Sequence, residues 1–143
     1  MPRGRQLLVL ALVAAGASAQ VSAAAPLAGV VSPARGAVVS PNPVFVASVV
    51  PGDLALQIQV STSPAVTRIG FQKNIGLCFL GPRSGGRVHC KLGNPLRNGT
   101  YYWTLVYQRN TRCQIVSGRH YCFPEPHLTG PTRFTVRADA PAP

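Results

Sequence analysis

Residues 54–61 read LALQIQVS, and their alternation decides the fold class. Leu54, Leu56, Ile58 and Val60 are expected on one face, with Ala55, Gln57, Gln59 and Ser61 on the other. A period of two, with one apolar and one wetter face, marks a strand in a half-covered antiparallel sheet. Upstream, VFVASVV at 44–50 predicts a second strand, and Pro51, Gly52 and Asp53 between the two predict a turn. Downstream, TYYWTLVYQ at 100–108 predicts a third. Its heavier face, Tyr101, Trp103, Leu105 and Tyr107, is the candidate core face, and Asn98-Gly99 is the turn into it.

Shorter runs complete the pattern. Residues 27–31, 66–71 and 87–92 read as strands, and 113–121 as a hairpin turning at Ser117-Gly118. Residues 131–137 close the series with Phe134 and Val136 inward, while 72–86 read as an irregular connection. With 14 Gly and 14 Pro spread along 143 residues, a helical bundle is disfavoured. Seven or so short strands between turn signals predict an all-β fold, a two-sheet antiparallel β-sandwich with two disulfide-stapled loops.

The first twenty residues, MPRGRQLLVLALVAAGASAQ, have the form of an export signal. Arg3 and Arg5 precede an apolar run at 7–15, and Ala17-Ser18-Ala19 supplies small residues for cleavage. The run is short of the ~20 residues that span a bilayer. The expected organisation is a signal peptide at 1–25, one domain at 26–137 and a disordered tail at 138–143. The mature protein is expected to be secreted, to the extracellular space or the cell envelope, as a monomer with no membrane span.

Three segments carry a resemblance. LALQIQVSTSP at 54–64, LRNGTYYWTLVY at 96–107 and PTRFTV at 131–136 together resemble a bacterial secreted fibronectin type III-like domain, an immunoglobulin-like β-sandwich. The resemblance implies a tyrosine corner at Tyr101, or one position on at Tyr102, with Leu96 packed near it. It implies no activity, because this sandwich carries many unrelated functions. The long connections at 72–99 and 108–131, each with two cysteines, depart from the family pattern.

Cys78, Cys90, Cys113 and Cys122 permit three pairings. The local pairing, Cys78 with Cys90 and Cys113 with Cys122, is favoured because each pair brackets a glycine-containing excursion. Structural bridges fit an exported chain. A metal site would draw on His89 beside Cys90 and His120 near Cys122, but the intervals are far longer than those of zinc ligand pairs. His127 reads as a loop residue, and Asn98-Gly99-Thr100 as a turn more than a glycosylation site.

Asp53, Glu125 and Asp139 are the whole acidic inventory, which disfavours paired-carboxylate catalysis and hard-metal cages. Neither G-x-S-x-G nor H-E-x-x-H occurs. The protein is therefore expected not to be an enzyme and to need no cofactor or metal. Its formal net charge is +11, or +9 once Arg3 and Arg5 are removed. Arg83, Arg87 and Lys91 cluster about the first bridged loop, and Arg109, Arg112 and Arg119 about the second. These six are the candidate contacts for an anionic envelope or extracellular polymer, or for a protein partner. Specific nucleic-acid binding is not expected, since the aromatic residues concentrate in a core-like strand. The alternative is a secreted protease-inhibitor-like protein or small-ligand carrier. It would act through the 113–122 loop and offer Arg119 or Arg112 to a trypsin-like pocket.

Overall fold

The computed structural model describes residues 28–142, and within them the side chains of all but 81–84 and 110–112. The expected export signal at 1–25 lies outside the described residues. A long ribbon of two antiparallel strands forms the frame, β3 (Val44–Ser61) and β6 (Gly76–Lys91). The first half of β3 also pairs with β1 (Gly29–Ser32), and its second half with β7 (Gly99–Val116). β7 then pairs with β8 (Arg119–Leu128) and β9 (Thr132–Val136), and β9 runs parallel to the short β2 (Val38–Val39).

Pro51, Gly52 and Asp53 do not end a strand as their composition suggests; β3 continues through them and bends. The register jumps there, from Val49 opposite Gly86 to Leu54 opposite Ser84. Gly52 and Gly86 take φ values of 91° and 78°, conformations that side-chain-bearing residues rarely adopt. The fold-over brings two parts of one seven-stranded sheet face to face as two layers. Phe45, Ala47, Val49, Val88 and Cys90 come from one layer, and Ile58, Val60, Tyr101, Trp103, Leu105, Phe134 and Val136 from the other. Phe45 meets Trp103 and Phe134 edge-on, with ring centroids 5.3 and 5.6 Å apart. The Trp103 indole N–H donates to the Pro33 carbonyl at 2.9 Å, so the buried ring leaves no donor unpaired.

Residues 72–86, read as irregular, are instead largely the first part of β6. The same strand explains how Cys78 and Cys90 meet. Cys78 stands opposite Ile58 in one layer and Cys90 opposite Phe45 in the other. Their disulfide, with Cα atoms 6.2 Å apart, therefore ties the two layers.

The alternation at 54–61 is also shifted. Ala55 pairs with Tyr107 and Gln57 with Val106, which leaves Leu56 as an extra, bulged residue. One added residue reverses the phase. Ala55 thus faces the core together with Ile58 and Val60, while Leu54 and Leu56 are only half-buried. Nor is the other face wet at its end, for Gln59 and Ser61 are buried. The segment read as one strand at 66–71 is a tight hairpin, β4 (Val66–Thr67) and β5 (Gly70–Phe71). The Gln59 amide holds it: Oε1 accepts from the Phe71 N–H at 2.8 Å, and Nε2 donates to the Ile69 carbonyl at 3.3 Å. Gly70 lies so close that a Cβ there would run into the Gln59 side-chain amide.

Tyr101, not Tyr102, is the buried one of the pair, and its hydroxyl donates to the Arg97 carbonyl at 2.8 Å. Leu96 beside it is buried, and its N–H donates to the Pro41 carbonyl. Beyond β9 the described chain makes a turn. Ala138 N–H donates to Asn98 Oδ1 at 2.8 Å, and Ala140 N–H to the Arg137 carbonyl at 3.1 Å.

Candidate functional site

β7 and β8 continue as a hairpin beyond the bend of β3. Leu54 is the last β3 residue opposite β7, at Gln108, and from Arg109 onward β7 has only β8 beside it. Residues 113–124 are exposed on both faces, so this arm is displayed rather than packed. Its tip is the expected two-residue turn: Ser117 and Gly118 have φ of 50° and 76°, the positive pair of a type I′ turn. Cys113 and Cys122 are directly opposed and bridged, with Cα atoms 4.0 Å apart. A two-stranded ribbon alone is marginal in water, and a cross-strand bridge keeps its register.

The root of the arm is fastened by charge. Arg109 Nε donates to Asp53 Oδ1 at 2.8 Å, and Nη2 to Oδ2 at 2.6 Å. Asp53 is buried in the bend, and the guanidinium also lies 5.8 Å from the Tyr107 ring centroid. The bonds to Asp53, and then its charge, raise the Arg109 pKa above its ordinary value. His127, read as a loop residue, belongs to β8 and stacks on Tyr107 at 5.5 Å between centroids.

The six candidate basic residues are thereby divided. Arg87 and Lys91 are exposed on one side of β6 with His89 between them, while Val88 and Cys90 point to the core. Arg119 is exposed on the arm, next to the turn. Arg109 is committed to Asp53, so its reading as a free anion contact is corrected. The side chains of Arg83 and Arg112 lie outside the described residues; their backbones stand opposite Ala55 and Phe123. Both cysteine pairs are disulfides, which takes the thiolates from any mixed Cys/His metal site. Among the described residues no group of three His, Cys, Asp or Glu side chains is placed to hold a metal, and no helix is long and apolar enough to cross a membrane. The two disulfides point to an oxidising compartment.

Sequence reasoning did not find the exposed apolar side chains. Phe79 is 81% exposed and borders a cleft of about 350 Å³ with Leu80, Arg87, Val88 and His89, between the two halves of β6. Ile115, Val116, Tyr121 and Phe123 stand in solvent on the arm. A period-two pattern marks a strand but does not say whether anything covers it, so no local signal separated these from core positions. No family model, curated protein or solved structure matches the chain.

Proposed function

We propose that the protein is a small non-catalytic binding module of fibronectin type III-like architecture, exported to an oxidising compartment, which holds an anionic envelope or extracellular polymer. The fold part of this reading is supported by the two face-to-face layers and by the Tyr101–Arg97 bond beside Leu96, the arrangement of a tyrosine corner. The observation that carries the binding part is the row on β6. Arg87, His89 and Lys91 alternate outward on a strand that pairs only with β3 among the described strands. Alternate residues of a strand share a side, so the two cations lie about 13 Å apart along one line. Asp53 and Asp139 are paired with Arg109 and Arg137, away from the β6 row.

Retention on a sulfated polysaccharide column tests this reading. Arg87→Ser with Lys91→Ser is expected to lower the eluting salt concentration well beyond the change caused by Arg35→Ser with Arg133→Ser, which removes the same charge from other exposed sites. Equal losses would reduce the attraction to net charge and remove the β6 row from the account.

Protease inhibition is the second reading, favoured by one observation, the exposure of Arg119 on a disulfide-closed hairpin. Inhibition of trypsin that disappears in Arg119→Ala would establish it in place of polymer binding.

A further inference from the structure

The arm carries large apolar side chains on both of its faces. Directly opposed residues of an antiparallel pair share a face. Ile115 therefore lies with His120 and the Cys113–Cys122 bridge, while Val116, Tyr121 and Phe123 lie on the opposite face with Gln114 and Arg119. Ile115 is 65% exposed, and the other three are 45–48% exposed. A flat protein surface covers one face of a hairpin and leaves the second in water. A fluid apolar medium covers both. Charge selects the medium: Arg119 is exposed beside the turn, and no acidic residue occurs between 110 and 124. A second copy of this chain would bring the same positive charge to the contact.

We infer that the arm seats in the headgroup region of an anionic membrane, with Ile115, Val116, Tyr121 and Phe123 among the upper acyl chains and Arg119 on lipid phosphate. Tyr and Phe suit this depth, being apolar bodies tolerated at the interface. The arm does not go deeper. Both outer edges of a two-stranded ribbon carry unpaired backbone N–H and C=O groups, which hydrocarbon would leave unsatisfied. The disulfide and the Arg109–Asp53 pair hold the ribbon in shape before contact, so little ordering is needed on binding. This inference does not depend on the β6 row.

Val116→Trp supplies the probe, since Trp103 is buried and contributes a constant background. With vesicles of phosphatidylcholine and phosphatidylglycerol in equal parts, the introduced indole is expected to shift its emission to the blue. Phosphatidylcholine vesicles alone are expected to leave it unmoved. In sedimentation with the mixed vesicles, the triple variant Ile115→Ser, Val116→Ser, Tyr121→Ser is expected to lose about tenfold or more in partitioning. Its Trp103 emission should stay native, showing the fold intact. Arg87→Ser with Lys91→Ser, placed in the Val116→Trp protein, should keep the blue shift. An indole unmoved by the mixed vesicles, or undiminished partitioning of the triple variant, overturns the inference. So does a blue shift with a polyglutamate peptide and none with lipid, which would make the partner an acidic protein.

Discussion

Arg109 grips Asp53 through two parallel bonds, at 2.8 and 2.6 Å, across 56 residues of sequence. The two ends of this contact are unequally placed. Asp53 is 4% exposed at its side chain and Arg109 is 37% exposed, so the carboxylate depends on the arginine more than the reverse. A buried carboxylate that loses its cation keeps the desolvation cost without the compensation. The pair joins the bend of the β3–β6 ribbon to the root of the arm.

Arg109→Ala is accordingly expected to lower Tm clearly, whereas Arg119→Ala on the arm should leave it nearly unchanged. Adding Asp53→Asn to Arg109→Ala should recover part of the loss, because a neutral amide is less costly to bury than a carboxylate. Thermal unfolding followed by near-ultraviolet circular dichroism checks both, and an Arg109→Ala protein as stable as the parent would remove the clamp from the account.

Gly70 and Gln59 form the second test. Gly70 has φ 136° and no room for a Cβ against the Gln59 amide. Gly70→Ala is expected to cost about 2–3 kcal/mol in denaturant unfolding. In a Gln59→Ala background the added cost should shrink, since the clash is gone and only backbone strain remains.

The two disulfides should behave differently although their loops are of similar length. Cys78–Cys90 ties the layers across the core, so replacing both by Ser is expected to cost about 2–4 kcal/mol of global stability. Replacing Cys113 and Cys122 should scarcely alter the global transition and should speed hydrogen exchange within 113–122, because the arm opens on its own. Gentle reduction is expected to open Cys113–Cys122 first: both of its cysteines are exposed, whereas Cys90 is buried. Peptide mapping after partial alkylation reads the order.

Trp103→Phe removes the donor to the Pro33 carbonyl and a buried ring that fills space against Phe45. The expected loss is about 2–3 kcal/mol, from a carbonyl left unpaired and a small cavity. Replacing Phe45 by Leu in the same protein should add less than its separate cost, since the two rings share one contact.

Local chemistry made several features legible. The alternation of Tyr101, Trp103 and Leu105 identified the core face of β7, and all three are buried. Ser117-Gly118 was readable as a turn because a two-residue hairpin needs positive φ at both positions, and cysteines twelve and nine residues apart were readable as local bridges because short loops close cheaply. Pro51-Gly52-Asp53 misled because turn composition reports bending, while β6 on one side keeps the ladder running past the bend. Leu56 was misassigned because a bulge adds one residue without any change in local pattern, and only the fit of Ala55 and Ile58 against the facing layer chooses the phase. Gln59 read as wet until a hairpin from further along the chain covered it. Arg109 read as a free cation until the fold placed Asp53 beside it. The sequence by itself determined the strand character of β7, the Ser117-Gly118 turn and the short cross-links, all of which depend on neighbours within a dozen residues. Which faces are covered and which charges are neutralised depended on distant residues brought within about 3 Å, a distance that only the assembled layers decide.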